Sequence, residues 1–288
     1  VSGDIFAGQA TEADLLAEIY DLEHDEVTED VAFYRELVRR HPRAVLDLGC
    51  GSGRLFRACV DGGALRIVGV DGSHALLRRA AARIAADETL ATAAAAGRLA
   101  TMAGDVRRLD RRVLLRALGG PASLVVVAGV MPHLDGPEEA LRLLTGVAAV
   151  LDPRGGVAVL DDIGPGLLPV RDLPLSLDWR RVVDGVEYVR RSQLAVRETP
   201  EGLRIAFSTL MDVGRPDGTI ARLPASYRLW YPFPGVLDTL VREAGLAEEL
   251  AYGSHDLDPP DEDSERRIRL VRRAEAASGH GARSRAGG

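Results

Sequence analysis

The stretch Val45-Leu-Asp-Leu-Gly-Cys-Gly-Ser-Gly53 constrains this chain most, because a short apolar strand runs straight into a turn with glycine at every second place. A side chain at Gly49, Gly51 or Gly53 would hold a ligand away from the backbone, and glycine also tolerates positive φ. The helix expected from about Arg54 would aim free N–H groups at whatever lies over the turn. Something flat and polar fits there.

The spacing narrows the ligand. A phosphate-cradling dinucleotide turn reads G-x-G-x-x-G, whereas this one reads G-x-G-x-G and lacks the lysine and serine of a nucleoside-triphosphate loop. A second apolar run, Arg66 to Val70, stops at Asp71, where an acid ending the second strand can accept both hydroxyls of a ribose. Turn and acid together indicate a bound nucleoside. Strands at Val45 to Leu48, Arg66 to Val70, Arg98 to Met102 and Ser123 to Val127 alternate with helices, including one from about His74 to Ala86. Such alternation predicts a parallel sheet covered on both faces. The alanine-rich Thr89 to Ala96 reads as either a helix or a loose connection.

Val45 to Gly53, Val68-Gly-Val-Asp-Gly-Ser73 and Gly104-Asp105-Val106 resemble the first three signatures of class I S-adenosylmethionine-dependent methyltransferases. Tyr20-Asp-Leu, Ala244-Gly-Leu246, Tyr252-Gly253 and Asp261-Glu-Asp-Ser264 extend the likeness to a bacterial small-molecule subgroup that includes N-methyltransferases of nucleotide-linked amino sugars. The resemblance implies an α/β fold: a Rossmann-like, doubly wound, seven-stranded sheet with an N-terminal helical lid and an antiparallel β insertion after the fifth strand. The divisions it implies are the lid over 1–43, the cofactor-binding core over 44–163, the insertion over 164–232, the rest of the core over 233–274 and a disordered tail over 275–288.

It also implies S-adenosylmethionine as cofactor, with S-adenosylhomocysteine as product. Asp47, Gly49, Gly51, Gly53, Asp71, Gly72, Asp105, Val106, Ala128 and Tyr34 are the residues expected to hold it. Asp105 would accept from the adenine amino group while the Val106 backbone meets the ring; otherwise Asp105 caps a helix over Arg107 to Leu118. Tyr20 and His133 are the candidate catalytic residues. Tyr20 either meets the transferring methyl region or packs the leader onto the core. His133, in the loop after the fourth strand, either works as a base or substrate-orienting group or simply caps the next helix.

After Gly164-Pro-Gly the pattern changes to long, often alternating runs, Val186 to Thr199, Leu203 to Arg215 and Thr219 to Tyr231, which read as antiparallel hairpins. Trp179, Tyr188, Tyr227, Arg228, Trp230 and Tyr231 gather scarce aromatics and an arginine there, suited to cover a planar or sugar-like substrate or to form a homodimer contact. Paired acids at Asp161 and Asp162, and the run from His255 to Asp263, look like metal ligands, but hard cations need several converging oxygens and no metal is expected.

The net charge of -7 argues against a general nucleic-acid binder. All 36 basic residues are arginine and asparagine is absent, a coding bias of GC-rich genomes. Cys50 and Cys59 are too few for a disulfide framework or a zinc site. With no apolar run near the roughly 20 residues of a membrane span, and no basic-then-apolar leader, a cytoplasmic protein without membrane partners is expected. The expected function is methyl transfer to a small-molecule amine, on a sugar- or nucleotide-linked or similar scaffold, in bacterial natural-product or antibiotic biosynthesis. The alternatives are a hydroxyl acceptor, or a cyclase or lyase retaining the fold.

Overall fold

The computed structural model describes residues 10–214 and 217–274. Expectations for residues 1–9 and for a tail over 275–288 lie outside the described residues. The chain opens with α1 (Ala10–His24) and α2 (Val31–Arg40), then runs β1 (Val45–Leu48), α3 (Phe56–Asp61), β2 (Ile67–Asp71), α4 (His74–Ala86), α5 (Glu88–Ala95) and β3 (Leu99–Ala103). It continues with α6 (Arg111–Leu118), β4 (Leu124–Ala128), α7 (Pro137–Val150) and β5 (Val157–Ile163). Four further strands follow, β6 (Leu173–Val183), β7 (Val186–Thr199), β8 (Gly202–Gly214) and β9 (Ile220–Pro232), before α8 (Pro234–Glu243), β10 (Leu246–Tyr252) and β11 (Arg266–Arg273).

The main sheet has the order β10-β11-β5-β4-β1-β2-β3, with β1 to β5 parallel and β11 antiparallel to both its neighbours. Its central strands are apolar almost throughout because both faces are covered. Leu46, Val125 and Val127 pack with Leu143, Leu144 and Val147 of α7 on one side. Val45, Leu124 and Val126 pack with Phe33, Phe56 and Cys59 on the other. The strand order reverses between β1 and β4, so the crevice beyond their carboxyl ends is where an open α/β sheet holds its ligand.

β6 to β9 form a separate antiparallel sheet in sequential order. Ile19 of α1 is buried against Tyr188, Met211, Val213 and Leu223 of that sheet, so the insertion and the N-terminal helix share one apolar seam. The seven-stranded core and the antiparallel insertion after the fifth strand agree with the expected fold.

Several local expectations change. The insertion has four strands rather than three, because β6 leads into β7 through a two-residue Asp184-Gly185 turn with both φ values positive, 50° and 80°. That dipeptide is a strong hairpin signal. Asp105 caps only a single 3-10 turn over Val106–Arg108, and α6 begins later under an Asp110 cap. Thr89 to Ala96 is helical, because Asp87 accepts from Thr89 N and Leu90 N and starts α5 anew. β5 runs on through Asp161 and Asp162, whose side chains therefore leave the strand on opposite faces.

Candidate functional site

The turn after β1 is made by Gly49, Gly51 and Gly53, with φ of 73°, 54° and 77°. A Cβ at Gly49 would lie 2.6 Å from Val130 Cγ2, and one at Gly51 would lie 3.0 Å from the Tyr20 hydroxyl. Thus the loop after β4 and the helix α1 both press upon the same turn. Only backbone fits between them.

Asp71, at the end of β2, is aimed by two backbone bonds: Oδ2 accepts from Gly51 N at 2.8 Å and Oδ1 from Ser73 N at 2.7 Å. The next residue, Gly72, is exposed, and a Cβ there would meet only the Gly104 carbonyl oxygen at 3.9 Å. Asp47 is buried within β1. Burial, and then the charge of Asp71, push its carboxyl up to about 7. Burial and Asp71 likewise push the Tyr20 phenol up to about 12. The structure therefore brings Tyr20, Asp47, Asp71 and the three glycines to one place, which is acidic and poised to accept positive charge.

The rim continues through Gly104, whose N–H donates to the Asp71 carbonyl at 3.0 Å. Asp105 next to it is half-buried and accepts from the Arg107 side chain at 2.8 and 3.0 Å, a pairing that holds its carboxyl below the usual range. Val106 is half-buried against the core. Ala128 ends β4 beside Asp161 of β5, and Gly129 turns the chain into a 3-10 turn over Met131–His133. His133 is exposed, and desolvation by the surrounding protein lowers its pKa. No hydrogen bond to its ring is present among the described residues.

Tyr34 belongs to the apolar cluster that also holds Cys50 of the glycine turn. It is buried in α2 and its hydroxyl donates to Asp161 Oδ2 at 2.6 Å; burial and that carboxylate raise the phenol. His255 Nε2 reaches the same oxygen at 2.8 Å, and Arg266 donates to Oδ1. Burial alone would raise Asp161, but His255, Arg266 and Tyr34 together hold it low. Asp162, on the other face, is pushed up to about 7 by burial and by Asp161. Its neighbours around a small cavity are Met131, Tyr231 and Arg267. The segment between α1 and α2 is further fixed by Arg54, which follows the glycine turn and donates to Asp30 Oδ1 at 2.8 Å and to the Val27 carbonyl at 2.9 Å. The Asp161 cluster and the Arg54–Asp30 pair were not found from sequence, since their partners lie far apart along the chain.

A glycine turn at the switch point, an acid ending β2 and a second acid within β1 suit a cationic nucleoside. Residues 45–155 match the methyltransferase domain family. In overall fold the chain is similar to the CcbJ methyltransferase of Streptomyces caelestis, at 23% identity and a TM-score of 0.65, covering 86% of this chain and 90% of that one. It is also similar to the sugar N-methyltransferase KedS8 of a Streptoalloteichus species, at 21% identity and a TM-score of 0.64, covering 89% and 93%. A curated relative, ribosomal RNA small subunit methyltransferase A of Mesorhizobium japonicum, is 32% identical over 102 residues, 35% of this chain. The chain spans about a third (34%) of the length of that relative.

Proposed function

We propose that this chain transfers a methyl group from S-adenosylmethionine to a small-molecule acceptor, an amine on a sugar or similar scaffold in bacterial specialised biosynthesis. The observation that carries the reading is the convergence on Gly51, whose N–H is held by Asp71 while the Tyr20 hydroxyl occupies the space its side chain would fill. The cofactor supplies an electrophilic methyl group on a sulfonium that leaves as a neutral thioether.

In this reading Gly49 to Gly53 would hold the cofactor through backbone alone, and Asp71 would accept from the ribose hydroxyls on its remaining lone pairs. Asp47 meets the positive amino-acid end. Gly72, where a Cβ would meet only the Gly104 carbonyl oxygen at 3.9 Å, would leave room for the ribose, and Asp105, Val106 and Ala128 would contribute to holding the rest of the cofactor. Tyr34 acts at one remove, holding α2 to the sheet through Asp161. Tyr20 and His133 face the acceptor, and alignment of its lone pair with the S–CH3 bond carries most of the rate.

An amine is favoured by the sugar N-methyltransferase among the structures of similar fold. A hydroxyl acceptor is the second reading, favoured by His133, which desolvation keeps towards its neutral form and which can orient a hydroxyl. The insertion covers the acceptor and also joins two copies of the chain, because Leu173, Leu175 and Leu177 lie exposed along its edge strand β6. A cytoplasmic location accords with the absence, among the described residues, of any helix long and apolar enough to cross a membrane.

The test is calorimetric titration with S-adenosylmethionine, with Asp71→Ala in parallel, followed by assay of S-adenosylhomocysteine release with nucleotide-linked amino sugars and with phenols. Saturable binding weakened at least 100-fold by the substitution is expected, and release with amines over phenols. A folded protein that binds no S-adenosylmethionine would overturn the reading.

A further inference from the structure

His24 is the last residue of α1, one helical turn beyond Tyr20. Its ring lies flat against the Tyr20 ring, with centroids 4.0 Å apart and planes 18° from parallel. It therefore flanks the residue that covers Gly51. Its Nδ1 stands 2.8 Å from the Tyr20 carbonyl oxygen. A carbonyl can only accept, so Nδ1 carries the hydrogen, and the neutral ring has its lone pair on Nε2. No further hydrogen bond reaches the ring among the described residues, and Nε2 is not one of the buried atoms left without a partner. That lone pair therefore keeps contact with solvent on a half-buried ring. His133, by contrast, has no bond to fix its ring.

We propose that His24 is the general base of the transfer, its Nε2 taking the proton that the acceptor loses. The inference rests on the methyl-transfer reading above. The acceptor lone pair bonds to the methyl carbon, the C–S bond breaks with its electrons going to sulfur, and the acceptor proton passes to Nε2 and then to water. The surroundings keep the ring neutral and ready. Burial disfavours the imidazolium most, and Arg54 beside the glycine turn and Arg190 of β7 repel it, against the pull of Asp21 on its own helix and the bond to the Tyr20 carbonyl; the net direction is downward.

The bland alternative is that His24 only ties off the end of α1, and one substitution separates the two roles. The amide of His24→Asn can still donate to the Tyr20 carbonyl but cannot take up a proton at neutral pH. We expect His24→Asn to keep the melting temperature and the S-adenosylmethionine affinity of the parent. Methyl transfer to the acceptor found among the amino sugars and phenols should fall about 100-fold, and the rise of kcat with pH below 6.5 should disappear. Near-parental transfer by His24→Asn would overturn the proposal, as would a tenfold loss of cofactor affinity with an unchanged pH profile. Nitrogen-15 spectra of histidine-labelled protein need no acceptor. They should show His24 neutral at pH 7 with its proton on Nδ1, and a proton on Nε2 would overturn the proposal. A parent chain that binds no S-adenosylmethionine would instead overturn the methyl-transfer reading and leave the tautomer result standing.

Discussion

The parallel sheet and the antiparallel insertion are built on opposite economies of burial. In the first, β1 and all of β4 but Ala128 are buried, and Leu46, Leu124 and Val127 have no exposed surface at all. In the second, polar and charged residues line much of the surface, and the sheet is tied to its surroundings by arginine. Arg190 of β7 pairs with Glu23 of α1 at 2.6 Å and with Asp178 of β6 at 3.3 Å, while Arg191 and Arg222 share Asp212. The difference teaches that position in the parallel sheet is enforced by packing, whereas the insertion is held by pairs that water and salt can weaken.

Truncating the packed region should have the largest effect. Leu124→Ala, in the middle of the sheet, is expected to cost about 2 to 5 kcal/mol in urea unfolding. A cost below about 1 kcal/mol would remove the contrast.

The buried acids come next. Asp47 and Asp162 ionise at about 7 in the folded chain against 3.8 ordinarily, so between those values the folded state binds more protons than the unfolded one. Stability from these two groups is accordingly greatest at low pH and falls as pH rises towards 7, on the order of 2 to 4 kcal/mol for each. Asp47→Asn should flatten its share of that slope. Binding of S-adenosylmethionine should follow the opposite sign, tightening as pH rises through 7 and Asp47 gains the charge that meets the ammonium. Calorimetry at pH 6 and pH 8 reads this directly.

Smaller effects are expected in the insertion. Arg190→Gln should cost about 1 kcal/mol, with the loss shrinking in 1 M salt. Leu177→Asp, at a residue 60% exposed, should change unfolding by less than about 0.5 kcal/mol yet convert dimer to monomer in sedimentation velocity. An unchanged sedimentation coefficient would remove β6 from the contact.

Where a feature is local, the sequence displays it. The strand from Val45, its glycine turn and the acid at Asp71 are contiguous patterns, and the long runs of β7 to β9 announce a sheet. β6 escaped notice because Pro174, Ser176 and Asp178 interrupt its leucines and it pairs through two irregularities in register, although Asp184-Gly185 marks its end. The histidine one turn beyond Tyr20 was legible in principle, yet nothing local shows that the two rings stack. Tyr34 reads as a cofactor contact by its place in the leader, and its bond to Asp161 spans 127 residues. Such pairings come from tertiary closure alone.

The Asp161 cluster has a consequence for the timing of synthesis. One carboxylate joins α2 from the leader, β5 from the middle of the sheet, and His255 and Arg266 from near its final strand. Although the leader leaves the ribosome first, its dock is unfinished until Arg266 has emerged, since Tyr34 would otherwise share a buried carboxylate with no arginine to balance it. A nascent chain that has made only the glycine turn thus lacks the fastening of α2, which is complete only once Arg266 has been made.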